Sequence, residues 1–327
     1  MRFLVTGGAG YVGSHLVALL VDQRHTVVVL DNLRQGHRAA LPEGVRLVVA
    51  GIESDMAQEV LADGPWDAVF HFASLSLVGE SMQDPMMYFS QNVAGGIRLI
   101  DGCVKHGVTK FVLSSTANLF GTPERIPIDE GVLIAPGSPY GESKLMIERT
   151  LFWAQRRGLF SACLRYFNAS GADLAGRLGE DHTPETHLIP LVIDSALGRC
   201  DPLAVFGTDY PTPDGTCVRD YIHVLDLARA HLAVLGQLDG RSVTYNLGNG
   251  RGYSVLEVIA SVERVLGRAV PHRLEARRPG DPAVLVAASD LIRRETGWLP
   301  ELGELDQIVR TAADWRLTHP QGYATLA

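Results

Sequence analysis

Phe3-Leu4-Val5 is a short apolar run that leads straight into Gly7-Gly8-Ala9-Gly10-Tyr11-Val12-Gly13. A helical pattern, Ser14-His15-Leu16-Val17-Ala18-Leu19-Leu20, follows at once. Strand, spaced glycines and helix in this order leave few folds open. Gly7 permits a tight turn, Gly10 lets a pyrophosphate approach the backbone, and Gly13 lets the helix pack closely on the strand. The N–H groups of the first helical turn then face the anion. The start of the chain therefore reads as a nucleotide-binding strand-turn-helix unit.

The next apolar run, Thr26-Val27-Val28-Val29-Leu30, ends at Asp31-Asn32-Leu33. An acidic residue about 20 positions past the glycines is placed to accept from the ribose hydroxyls of the adenosine half. Its charge repels a 2′-phosphate, so NAD is expected rather than NADP. Strands are further expected at 45–49, 68–72, 110–114 and 162–167, with helical stretches at 53–62, 85–106 and 140–157 between them. This alternation predicts an α/β fold with a doubly wound parallel sheet of Rossmann type and right-handed crossovers. After Asn168 the alternation stops, and turn residues from Gly171 to Gly215 indicate a smaller mixed lobe.

Composition narrows the classes of partner. With 46% apolar and 20% charged residues the chain is ordinary globular protein, and a net charge of −8 without a basic run argues against a nucleic-acid surface. Cys103, Cys163, Cys200 and Cys217 are widely spaced, without the paired spacing of a zinc site or disulfide framework. No metal is expected from this pattern, and a reducing compartment fits. The strand begins at the N-terminus without a signal peptide, and no apolar run reaches bilayer length. A cytoplasmic protein without membrane attachment is the expectation.

In a parallel sheet of this kind ligands collect beyond the carboxyl ends of the strands. Ser114-Ser115-Thr116 closes the fifth strand, and Tyr140 and Lys144 stand four apart in the helix that follows it. That spacing puts phenol and ammonium on one face. A nearby cation favours the phenolate, so Lys144 is expected to lower the pKa of Tyr140 and make it a general base. The Thr116 hydroxyl is expected to reach the same point.

With Gly7, Gly10 and Gly13, Thr116, and Tyr140-x-x-x-Lys144 in this order, the chain resembles the extended short-chain dehydrogenase/reductase family. Within that family it looks like the UDP-glucose 4-epimerases. The segments that carry the likeness include Val78-Gly79-Glu80-Ser81, Leu164-Arg165-Tyr166-Phe167-Asn168, Val218-Arg219-Asp220-Tyr221-Ile222-His223 and Arg277-Arg278-Pro279-Gly280-Asp281. The resemblance runs from Met1 to about Tyr323. It implies reversible oxidation at C4 of a UDP-hexose by a retained NAD, with Tyr140 taking the proton from the 4-hydroxyl. Lys144 would hold the nicotinamide ribose, and Thr116 the 4-oxygen.

The resemblance also implies a cofactor site. It comprises Gly7, Gly10, Tyr11, Val12, Gly13, Asp31, Asn32, Leu33 and Gly36, then Phe72, Ala73, Ser74 and Ser76 along the diphosphate, with Tyr140, Lys144 and Phe167 at the nicotinamide. Uridine and sugar contacts would fall on Asn168, His187, Leu188, Leu203, Ala204, Phe206, Arg219, Tyr221, Arg278 and Asp281. Arg219 and Arg278 would hold the diphosphate, Phe206 would cover the uracil and Asp281 would accept from the ribose. Leu285 would set tolerance for an N-acetyl group, Leu being intermediate between the bulky and small residues that the family uses.

Residues 1–168 with about 220–248 would form the NAD-binding domain, and 169–219 with about 249–327 the nucleotide-sugar lobe. A homodimer through the helices near 92–103 and 140–153 is implied. Epimerases of UDP-N-acetylglucosamine or UDP-arabinose, and a non-catalytic NAD-binding regulator, remain alternatives. A 4,6-dehydratase is disfavoured because Ala117-Asn118, and no carboxylates, follow Thr116.

Overall fold

The computed structural model describes residues 1–278 and 280–323, so Pro279 of the Arg277 to Asp281 segment lies outside the described residues. The first half contributes β1 (Arg2–Thr6), β2 (Thr26–Asp31), β3 (Arg46–Val49), β4 (Ala68–His71), β5 (Lys110–Thr116) and β6 (Phe160–Tyr166). Its helices are α1 (Tyr11–Asp22), α2 (Asp55–Ala62), α3 (Val78–Gln83), α4 (Pro85–Tyr88), α5 (Gly95–Lys105) and α6 (Pro139–Ala154). In chain order the second half then adds β7 (Asn168–Ser170), α7 (Leu188–Ala196), β8 (Leu203–Phe206), β9 (Val218–His223), α8 (Val224–Ala233) and β10 (Val243–Leu247). It ends with β11 (Gly252–Ser254), α9 (Val255–Leu266), β12 (His272–Glu275), β13 (Val284–Leu285), α10 (Asp290–Thr296) and α11 (Leu305–Thr318).

Seven strands form one parallel sheet in the order β10-β6-β5-β4-β1-β2-β3. Its strands are apolar on both faces because helices cover both. Phe3, Val5, Val27 and Val29 pack with Leu16 and Leu20 of α1 and Leu227 of α8. Leu4, Val28 and Leu30 face the other way, onto Leu61, Leu99, Ile147 and Leu151. The order reverses between β1 and β4, and the glycine loop opens at that crevice. The sequence-based strands are all present, and residues 243–247 return to the sheet beside β6.

One expected helix differs. Residues 85–106 do not run as a single α-helix but open into a π-helical turn at Phe89–Ala94 between α4 and α5. The wide turn faces Asn92 inward, where its amide donates to the carbonyl of Leu75 at 3.0 Å and to the Ser143 hydroxyl at 3.0 Å, and accepts from the N–H of Leu75 at 2.8 Å. Such turns gather at functional sites because they re-aim a side chain without ending the helix.

The smaller sheets stand beyond the carboxyl ends of the large one. β9 pairs with β7, β11 and β13, and β8 pairs with β12. Their core joins α7, α9 and α11 through Ile193, Val258, Val262, Ile308 and Val309.

Candidate active site

The glycine turn is built as the spacing requires. Gly7 has φ +71° and sits so close to the next strand's end that a Cβ there would lie 2.3 Å from the Ala73 nitrogen. A Cβ on Gly13 would lie 2.2 Å from the Gly7 carbonyl oxygen. Gly10 caps α1 without a side-chain hydrogen bond, which leaves the first-turn N–H groups for an anion. At the end of β2 the buried Asp31 carboxylate accepts from the N–H of Ala9 at 3.0 Å and of Leu33 at 2.8 Å. Burial is the larger influence and raises its pKa, while these two bonds oppose the rise. The carboxylate thereby ties the glycine turn to the loop that carries Asn32, Leu33 and Gly36.

Across the crevice, Ser138 caps α6 by accepting from the N–H of Gly141 at 3.1 Å, and Pro139 occupies the first turn. The cap fixes where the helix starts, and so places Tyr140 in its first turn with Lys144 one turn later. Gly141 is needed for the approach, since a Cβ there would lie 2.6 Å from the Asn118 carbonyl oxygen. Tyr140, Lys144 and Thr116 are all buried. Lys144 Nζ donates to the Ser114 carbonyl at 2.8 Å. The Thr116 hydroxyl lies beside the phenol and accepts from the Asn118 N–H at 3.1 Å.

The electrostatics differ from the expectation in one respect. Burial pushes the Tyr140 phenol up, and the influence that lowers it is the Thr116 hydroxyl, not Lys144. Lys144 is itself pushed down to about 7 by burial, with Glu148 opposing. Behind it, Glu148 accepts from Arg165 Nε at 3.0 Å and Nη2 at 2.6 Å, and from the Ser115 hydroxyl at 2.5 Å.

On the opposite side of the cleft, Arg219 donates to the Val218 carbonyl at 2.8 Å and forms an ion pair with Asp281. The Arg278 guanidinium lies 4.0 Å over the Phe206 ring. Asn168 donates to the Asp220 carbonyl at 3.0 Å. Leu285 is in register with Arg219 and packs with Phe167 against Ala117, Phe120, Ile128 and Val132.

A family model described as NAD dependent epimerase/dehydratase family matches residues 3–248. The chain belongs to the NAD dependent epimerase/dehydratase family. It is 48% identical to a UDP-glucose 4-epimerase of Halalkalibacterium halodurans, over 99% of this chain and 98% of that protein. A solved UDP-glucose 4-epimerase superposes with TM-score 0.97 at 43% identity, covering 99% of this chain and all of that one. The UDP-glucose 4-epimerase of Bifidobacterium longum, solved in complex with NAD+ and UDP, superposes with TM-score 0.93 at 37% identity, over 98% of this chain and 100% of that one.

In this epimerase/dehydratase chain Gly7, Ala73, Asp31 and Gly36 meet around the glycine turn, and the side chains of three further candidate residues pack elsewhere. Leu203 alternates into the lobe core with Val205, so on β8 only Ala204 and Phe206 keep side chains on the other face. Tyr221 is likewise buried in that core. The Tyr11 phenol turns away from the glycine turn and donates to the Gly171 carbonyl at 2.6 Å. Ser76 is exposed and His187 caps α7, with Leu188 half-buried behind it. Asn92 was missed by sequence reasoning. Its signal was one amide inside an otherwise periodic helical stretch.

Proposed function

We propose that this chain catalyses the reversible C4 epimerisation of UDP-glucose and UDP-galactose through a transient 4-keto sugar, with NAD held throughout. The observation that carries the reading is the buried pairing of the Tyr140 phenol with the Thr116 hydroxyl beside the glycine crevice. The residues present fit NAD. Gly7 and Gly13 let the turn close against Ala73 and against its own backbone, as a dinucleotide-binding turn requires, and Asp31 presents a carboxylate where a 2′-phosphate would be repelled.

NAD held there would supply the acceptor for hydride from C4 and the donor for its return to the other face of the ring. Tyr140 takes the 4-hydroxyl proton and gives it back, and Thr116 holds the 4-oxygen between the two steps. Lys144, on the same face of α6 and seated on the Ser114 carbonyl, would hold the nicotinamide ribose. Arg219 and Arg278 serve the diphosphate as planar forks of donors. For Arg219 this means exchanging Asp281 for phosphate, which frees Asp281 for the ribose.

The chain divides into an NAD-binding domain of residues 1–168 with about 220–248 and a nucleotide-sugar lobe of the remainder. It acts in the cytoplasm, where its four free cysteines, three of them buried, remain thiols. Among the described residues no helix is long and apolar enough to cross a membrane. It assembles as a homodimer through α5 and α6, whose exposed Ile97, Met146, Phe152 and Trp153 form an apolar surface.

The experiment is incubation of the purified chain with UDP-galactose, without added NAD, followed by separation of UDP-glucose. Appearance of UDP-glucose up to the equilibrium ratio is expected. No product, with or without added NAD, removes the reading in favour of a cofactor-binding regulator.

A further inference from the structure

At the start of α7 four side chains converge, of which only His187 is among the expected substrate contacts. Ligand atoms of Glu180, His182, Glu185 and His187 all lie within 4.8 Å of one another. His182 Nδ1 is 3.3 Å from Glu180 Oε1 and 3.7 Å from Glu185 Oε1, and His187 Nδ1 meets the same Glu180 oxygen. Two imidazole nitrogens thus point at one carboxylate oxygen, with a second carboxylate beside them. The Glu180 and Glu185 side chains are only 6% and 11% exposed, whereas His187 is 53% exposed and opens the cluster to solvent.

We propose that Glu180, His182, Glu185 and His187 form a structural zinc site. Two imidazoles and two carboxylates are all donors that zinc accepts, and four of them fill a tetrahedral shell without an open position. Imidazole donors select against magnesium and calcium, which take oxygen ligands. The two carboxylates balance the charge of the ion with both imidazoles neutral. An outer contact holds one ligand in orientation, as metal sites require: Arg316 Nη2 donates to Glu185 Oε2 at 3.1 Å. All four ligands come from one short segment, Glu180-x-His182-x-x-Glu185-x-His187, so closing the site orders little additional chain.

The location gives the ion a purpose. The same segment is strapped to the loop after β2, where Gln35 Nε2 donates to the Thr183 carbonyl at 3.1 Å and His37 Nε2 contacts the Asp181 carbonyl at 3.1 Å. His182 also packs edge-on against Tyr11 at the start of α1, with ring centroids 6.2 Å apart. Zinc here rigidifies a strap laid across the glycine turn and the ribose loop. The inference rests on these four side chains and is independent of the reading of the reaction.

The test uses the full chain, dialysed against EDTA and then titrated with zinc chloride alone. Metal content after removal of excess, by mass spectrometry, is expected to reach one zinc per chain, with a rise in melting temperature that magnesium chloride does not produce. His182→Ala, whose side chain has no role in the proposed chemistry, is expected to weaken zinc binding by about 100-fold or more. Glu185→Gln provides a second variant, and the NAD content of each variant reports whether it has folded. Sub-stoichiometric zinc in the wild type, or equal zinc affinity in the wild type and a folded variant, overturns the site. The cluster is then two histidine–carboxylate ion pairs.

Discussion

Lys144 Nζ is hydrogen-bonded to the Ser114 carbonyl, 2.8 Å away at the carboxyl end of β5, with its charge buried. In the unfolded chain this lysine keeps its proton up to about pH 10.5, and in the folded protein burial lets it go near 7. The group therefore costs stability in full below pH 7, and the cost fades as pH rises through the window from 7 to 10.5. In cofactor-free protein, Lys144→Met is expected to be the more stable form at acid pH by a few kcal/mol, converging on the wild type at alkaline pH. Urea titrations across that window check it. A constant difference would mean that the ammonium is not buried as described.

Removing only the phenolic oxygen separates chemistry from structure. Tyr140→Phe keeps the ring and its packing near Tyr88, with which it makes an edge-on contact at 6.4 Å. Turnover of UDP-galactose is expected to fall by about a thousandfold or more, while melting temperature and NAD content stay at wild-type values. Retained turnover would show that another group takes the proton.

The Glu148–Arg165 pair behind the site has both side chains 7% exposed. Glu148→Gln leaves the guanidinium buried against a neutral amide, and the loss expected on breaking such a pair is about 3–5 kcal/mol. Chemical denaturation measures it. Because Glu148 also supports the charge on Lys144, the pKa of that lysine, followed by NMR, should fall further below 7 in the variant. An unchanged lysine titration would uncouple the two.

Leu285, which is proposed to face the sugar, packs in one cluster with Phe167 and is in register with Arg219. With leucine there the enzyme is expected to prefer plain UDP-hexoses and to retain some turnover of UDP-N-acetylglucosamine. Leu285→Tyr should lower the N-acetyl to plain ratio by about tenfold, a change of roughly 1.4 kcal/mol, and Leu285→Ser should raise it. A substrate panel at equal enzyme concentration reads the ratio. Its indifference to both changes would move the selectivity elsewhere.

The parallel sheet and its crevice were legible because their signals are local. Glycine spacing, apolar runs and the acidic end of β2 each lie within a few consecutive residues. That Leu203 and Tyr221 enter the lobe core was not legible, since it depends on which face of β8 and β9 is covered by α7, α9 and α11 elsewhere in the chain. Helical spacing sets Tyr140 and Lys144 one turn apart, but it does not report the burial that raises the phenol or the Thr116 hydroxyl that opposes the rise. The convergence of Glu180, His182 and Glu185 on His187 was not legible, since the sequence alone does not show how that segment turns back on itself.

The last strand to enter the large sheet, β10, pairs with β6 only after the chain has built β7, β8, β9 and α8 in between. During synthesis the outer edge of β6, from Ala162 to Tyr166, has no partner until residue 247 has left the ribosome. An unpaired apolar strand edge is a template for joining other chains. The interleaved topology therefore links solubility of the nascent protein to elongation through the lobe. A pause between residues 167 and 242 would lengthen the exposure of that edge far more than a pause of the same duration after 247.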